Sequence, residues 1–186
     1  MPTDLGTQVP HPAPAPKVSI CIPTRNSARF LPDAFASALR QASDSVEIIV
    51  IDNCSTDGTD RVVRALQAKD ARVMFRRNDR DLGLVGNFNQ CLRHARGDFV
   101  TILCADDYLL PGFVDRMAAC LMAHPSATMA AAARLTVDES GHRLSVRRYA
   151  PNDQLVGGRQ AMHRCLVSGN YIGEPSAVMF RRQCAA

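Results

Sequence analysis

The chain has 186 residues, 46% of them hydrophobic and 22% charged, with a formal net charge of +4. That length and apolar share suit one well-filled core. The basic residues are scattered: the densest cluster, Arg143, Arg147 and Arg148, has no interleaved aromatics and argues against a nucleic-acid partner.

No apolar run approaches the ~18 residues of a membrane span, and no signal-peptide pattern opens the chain. The seven cysteines include no CxxC pair. Cys91 with His94, and Cys120 with His124, have helical spacing but no convincing second pair of ligands for a metal. The cysteines are therefore expected as reduced thiols, with Cys21, Cys91, Cys104 and Cys120 behaving as small apolar residues.

Residues 1–16 are proline-rich and poor in apolar residues, and they read as a disordered leader. The folded domain is expected over 17–186. Val18 to Ile22 forms a first strand, and Leu31, Phe35, Ala38 and Leu39 then mark an amphipathic helix with Pro32 in its first turn. Val46 to Ile51 is apolar nearly throughout, as a parallel strand covered on both faces should be. Ser55 is the expected N-cap of a helix carrying Val62, Val63 and Leu66. Arg72 to Arg76 makes a third strand. Leu84, Phe88, Cys91, Leu92 and Ala95 return to helical spacing, and Gly97 stands where that helix stops. Phe99 to Cys104 is the fourth strand, followed by a helix with Phe113, Met117, Cys120 and Leu121. This alternation predicts an α/β domain with a mostly parallel, Rossmann-like sheet flanked by helices.

Beyond Pro125 the rhythm breaks. Thr128 to Val137 reads as one long strand, residues 138–142 as a turn, and Arg143 to Tyr149 as the return strand. A helix from Gly158 to Val167 and a strand from Ser176 to Phe180 follow.

In open α/β sheets, ligands bind beyond the carboxyl ends of the strands. Here the first strand is followed by Pro23-Thr24-Arg25-Asn26, the second by Asp52-Asn53-Cys54-Ser55, the third by Asn78-Asp79 and the fourth by Asp106-Asp107. An acid after a strand is by itself most often a turn or cap residue. Four polar strand ends gathered on one edge describe a site. A phosphorylation-receiver domain also gathers acids at strand ends, but it requires a lysine after a late strand, and the lysines here are Lys17 and Lys69.

Together these pieces resemble the family-2 glycosyltransferases. The stretches that carry the resemblance are VSICIPTRN (residues 18–26), VEIIVIDNCSTDGT (46–59), the Asn78 to Asn87 element, ARGDFVTILCADD (95–107) with the following LLPG, and GNYIGEPSAVMFRR (169–182). The resemblance implies a GT-A fold and inverting transfer of a sugar from a UDP- or dTDP-type donor to a glycan or lipid-linked acceptor. Bacterial members often build cell-envelope polysaccharide or glycolipid, which implies a cytoplasmic protein with room for peripheral association at the inner membrane face.

It also implies roles. Asp106 would bind the ribose and Asp107 a divalent cation, Mg²⁺ or Mn²⁺, whose preference is for carboxylate oxygens. Asp52 would accept a hydrogen bond from the base, facing an open cleft. Pro23, Thr24 and Asn26 would shape the loop beneath the base, with Arg25 where many members carry an aromatic residue. Asn87 would brace the sugar nucleotide. The general base of an inverting enzyme lies, in this family, on the acceptor side beyond the stretch matching Phe180-Arg181-Arg182, so the chain is expected to lack part of that side. Glu174 is the candidate within the chain, with Asp138 and Asp153 behind it. The alternative to an active transferase is a domain that binds sugar nucleotides without turning them over.

Overall fold

The computed structural model describes residues 17–41, 45–170 and 172–185; the leader expected over residues 1–16 lies outside them. The chain runs β1 (Val18–Thr24), α1 (Leu31–Leu39), β2 (Val46–Asp52), α2 (Thr59–Gln67), β3 (Val73–Arg77), α3 (Gly83–His94), β4 (Phe99–Ile102), α4 (Phe113–Ala123), β5 (Met129–Ala131), β6 (Arg134–Val137), β7 (Arg143–Arg147), α5 (Gly158–Ser168) and β8 (Val178–Arg181). Among the described residues, no helix is long and apolar enough to cross a membrane.

Every residue of β1 and β2 is buried, which is why both read as apolar nearly throughout. Strand alternation divides them between two layers. Val18, Ile20 and Ile22 of β1, with Val46, Ile48 and Val50 of β2, join a cluster with Leu31, Phe35 and Ala38 of α1, Val63 of α2, and Val114, Met117 and Leu121 of α4. Cys21, Ile49, Ile51, Val100 and Ile102 belong instead to a second cluster with Cys91 and Ala95, with Phe88 and Leu92 of α3 packed against it.

The main sheet has the order β3-β2-β1-β4-β8-β5. Its first four strands are parallel, and β8 runs antiparallel between β4 and β5. The order turns back between β1 and β4, so the crevice that ligands favour opens beyond the carboxyl ends of those two strands.

Several local expectations are corrected. The stretch from Thr128 to Val137 is two strands in two sheets: β5 pairs with β8, while β6 pairs with β7 in a separate hairpin. The last strand begins at Val178, because Ser176 lies in a 3-10 turn over Pro175–Ala177. Helix α2 is capped by Gly58 in a left-handed conformation (φ +91°), which frees Ser55 for other partners. Gly97 does more than follow a helix. A Cβ there would lie 2.7 Å from the Ser19 backbone nitrogen, so β1 requires glycine for its close approach.

At the amino-terminal ends of the strands sits one buried carboxylate, Glu47, which accepts from Ser19 Oγ (2.6 Å) and from Arg96 N (2.7 Å) and Nε (2.9 Å). It is fully engaged in holding β1, β2 and the α3–β4 loop together.

Candidate active site

The ends of β1, β2 and β3 are tied to one another by their polar side chains. Asp52, the last residue of β2, is fully buried. Its carboxylate accepts from Ser55 N (3.2 Å) and from Ser55 Oγ, and it pairs with Arg77 Nε of β3 at 3.5 Å. Arg77 also donates to Ser55 O at 2.8 Å. Asp52 therefore does not face an open cleft as expected: its oxygens hold the β2–α2 loop against β3, as a buried carboxylate must be held.

Asn53 and Asn87 do related work. Asn53 Oδ1 accepts from Asn78 Nδ2 (2.9 Å) and Leu82 N (3.0 Å), while its Nδ2 donates to Asp81 at 2.6 Å. Asn87, also buried, donates to Ile51 O (3.1 Å) and Thr24 O (3.4 Å) and accepts from Asn78 Nδ2 (3.0 Å). Asn87, expected to brace the sugar nucleotide, ties α3 to the backbones of β1 and β2.

The β1–α1 loop presents the open groups on this side. Pro23 and Thr24 are buried, and Arg25 and Asn26 project beyond them. Arg25 is half-exposed and pairs with Asp81 at 2.5 Å. Asn26 adopts φ +49°, a conformation asparagine tolerates better than most residues. Its Oδ1 accepts from Thr56 N at 2.8 Å, and its own N–H donates to Ser55 Oγ at 2.8 Å. Thr24 Oγ1 is buried without a hydrogen-bond partner among the described residues. An orphaned hydroxyl costs about 1–3 kcal/mol, so this atom fits a site that a polar ligand completes.

The turn after β4 is different in kind. The strand ends at Ile102, so Cys104 lies in the turn and not, as expected, among the apolar strand residues. Sγ of Cys104 and carboxylate oxygens of Asp106 and Asp107 lie within 4.8 Å of one another. Asp106 is exposed and Asp107 half-buried. Neither makes an ion pair among the described residues. Ser176 Oγ accepts from Cys104 N (3.0 Å) and donates to Asp107 at 2.6 Å, which fixes the turn against the chain entering β8. Burial pushes the Asp107 carboxyl above its usual range, and the charges of Asp106 and Glu174 add to this against the Ser176 hydrogen bond. Two oxygen donors in an unrelieved repulsion fit a hard divalent cation, and the thiol stands beside them.

These acids open into a cleft of about 510 Å³ that also involves Arg134, Arg147, Glu174 and Ser176. Glu174 stands at the end of this cleft in an ion pair with Arg134 Nε. Asp138 is in the β6–β7 turn, accepting from Ser140 N and His142 N at 2.9 Å each. Asp153 is exposed in the loop before α5. The structure thus gathers Asp106, Asp107 and Glu174 in one cleft and leaves Asp138 and Asp153 outside it. Ser176 lies within the 169–182 stretch of the resemblance and Arg147 within the basic cluster, yet nothing in the sequence places them or Arg134 at this site, because only the pairing of β8 with β4 and of β6 with β7 brings them here.

The profile of glycosyl transferase family 2 matches residues 19–185. The chain belongs to glycosyltransferase family 2. An uncharacterized protein of Mycobacterium tuberculosis is 32% identical over 100% of this chain and 60% of its own length. A Campylobacter jejuni protein named as a GalNAc(5)-diNAcBac-PP-undecaprenol beta-1,3-glucosyltransferase is 42% identical over 52% of this chain and 32% of its own length. Among solved structures, a Pyrobaculum calidifontis mannosyltransferase in complex with GDP-Man and Mn²⁺ superposes with a TM-score of 0.66, at 22% identity, over 91% of this chain and 45% of that one. Staphylococcus aureus TarS in complex with UDP-GlcNAc superposes with a TM-score of 0.68, at 22% identity, over 89% and 45%. These likenesses establish the GT-A fold for this family-2 domain. The chain spans 60% or less of the length of each relative named here.

Proposed function

We propose that this family-2 domain binds a nucleoside-diphosphate sugar together with Mg²⁺ or Mn²⁺ and passes the sugar, with inversion, to a hydroxyl of a glycan or lipid-linked acceptor. The setting is synthesis of a cell-envelope polysaccharide or glycolipid, in the cytoplasm at the inner face of the membrane. The observation that carries the reading is the Asp106–Asp107 turn, free of ion pairs among the described residues, at the point where the strand order turns back. The named activity of the C. jejuni relative supports a lipid-linked acceptor.

Asp107, positioned by Ser176, and Asp106 would hold the cation, with Asp106 also free to accept from ribose hydroxyls. When bound, the cation acts as a Lewis acid on the departing diphosphate. Arg25 offers a guanidinium face on which a base can stack. Thr24 Oγ1 offers an unspent hydrogen bond at the floor of the same crevice. The donor is proposed as UDP- or dTDP-linked.

One observation favours a second reading, donor binding without efficient transfer. Glu174, the candidate general base in the cleft, already has one carboxylate oxygen engaged by Arg134 Nε, so it does not stand free toward an acceptor hydroxyl. The experiment is product detection with a panel of nucleotide sugars and simple glycan or lipid acceptors, on this chain and on Glu174→Gln. Transfer abolished by Glu174→Gln with donor binding intact makes Glu174 the base. Metal-dependent binding of UDP or dTDP with little transfer supports the second reading, and an absence of binding of both diphosphates with Mn²⁺ defeats both.

A further inference from the structure

The hairpin bordering the cleft carries an unusual pairing. In the register of β6 and β7, Arg134 stands directly across from Arg147. Like charges at opposite positions of an antiparallel ribbon repel and weaken it. Strand alternation places Thr136 and Ser145 on the face of these arginines and turns Leu135 and Val146 away. Both arginines line the cleft that holds Asp106 and Asp107.

Their partners are unequal. Arg134 is only 14% exposed, pairs with Glu174 and donates to Asn170 O at 3.2 Å. Arg147 is exposed and has no ion-pair or hydrogen-bond partner among the described residues. One carboxylate therefore stands against two guanidinium groups and pairs with Arg134 alone, and Arg134 already shows that this face takes a planar oxyanion. The acids of the β4 turn are beyond ion-pairing reach of either arginine. An anion placed between a cation held by Asp106 and Asp107 and the free fork of Arg147 would satisfy both.

We propose that Arg147, with Arg134 as its cross-strand neighbour, seats a phosphate or diphosphate group in this cleft. A guanidinium fork matches two phosphate oxygens at once, and charge-assisted bonds of this kind are the strong ones. The inference rests on the glycosyltransferase reading, under which such a group has two sources: the diphosphate of the donor, or the phosphate linkage of a lipid-linked acceptor.

The test is calorimetric titration of the full chain in Mn²⁺ with UDP, with uridine by competition, and with farnesyl diphosphate. It is run on wild type, Arg147→Gln, Arg147→Lys and Arg148→Gln, with matching melting midpoints as the check on folding. The expected result is a loss of roughly 10-fold in affinity for a diphosphate probe in Arg147→Gln. Uridine should be unaffected, Arg147→Lys should recover part of the loss, and Arg148→Gln should bind as wild type does. Loss for UDP assigns the donor's diphosphate; loss confined to farnesyl diphosphate assigns the acceptor's. Arg147→Gln that binds both as tightly as wild type overturns the proposal and leaves the glycosyltransferase reading standing. A loss shared equally by uridine also overturns it. Wild type that ignores UDP yet binds farnesyl diphosphate through Arg147 defeats the reading and keeps the phosphate seat.

Discussion

The strand ends of β1 to β3 and the strand end of β4 use the same residue types to opposite ends. Around Asp52, the acids Asp52, Asp57 and Asp81 and the amides Asn53, Asn78 and Asn87 are each answered by a neighbour. Asp57 is held below the usual carboxylate range, first by the Thr59 hydroxyl, and Asp81 is held low by the Gly83 N–H and then by Asn53 and Arg25. Around Asp107 the balance reverses, with burial and two neighbouring carboxylates pushing its titration up. Apart from the Thr24 hydroxyl, the first region has spent these polar groups on architecture, while the second leaves its paired carboxylates without a counter-charge among the described residues. A domain that must bind a charged ligand without losing its loops benefits from this division: rigid amide and acid bonds hold the floor, and the unrelieved charge stands above it.

The comparison can be broken most directly at Asp52. Asp52→Ala strips Ser55 and Arg77 of a buried acceptor and should cost about 2–3 kcal/mol of stability. For a domain of this size that lowers the melting midpoint by roughly 4–12 °C. Nucleotide affinity, corrected for the folded fraction, should be kept. A variant that melts like wild type but fails to bind UDP would return Asp52 to the ligand.

Asp107→Asn should do the reverse. It keeps the Ser176 contact and removes a desolvated charge, so stability at neutral pH is unchanged or improved. Affinity for UDP in Mn²⁺ should fall at least ~10-fold, about 1.4 kcal/mol, by calorimetry. Equal affinities in the two proteins would remove Asp107 from the cation site.

The first region was half legible in the sequence. The strands declared themselves, since burial on both faces leaves runs such as Val46 to Ile51 with almost no polar residue. The acids after them were legible as a set, but not their direction: an aspartate ending a strand reads the same whether it turns out to a ligand or in to Ser55. Asn87 is ambiguous in the same way. Cys104 follows Leu103 with no polar break, so the apolar pattern runs two residues past the point where β4 ends. In the second half, nothing between Ala131 and Arg134 marks a change of sheet, so the pattern reads as one long strand where two exist. Without that break the pairing of Arg134 with Arg147 stayed out of sight.

The smallest expected effect separates the two regions by pH. Asp57 titrates lower in the folded chain than unfolded, so its stabilisation is present above the unfolded value and lost as pH falls through the folded one. Asp57→Asn should therefore cost ~0.5 kcal/mol near neutrality, an exposed pairing's worth, and nothing in strong acid. Asp107 has the opposite sign: its contribution is complete below the unfolded value and lost as pH rises through the folded one. The gain from Asp107→Asn should thus appear at neutrality and vanish in acid. Urea midpoints of both variants across that range check the pair of signs, and parallel profiles would erase the distinction.

Ser176, which joins the Cys104 amide to the Asp107 carboxylate, is separated from them by about seventy residues of chain. Contacts of such long range must wait for a large loop to close, and they form late and slowly when a chain folds. The loops beyond β1 and β2 need about thirty residues to find each other. As the polypeptide leaves the ribosome, the floor of the crevice can therefore take shape while the acidic turn is still unanchored. The capacity to grip a charged ligand would then arrive last, with the docking of β8 between β4 and β5.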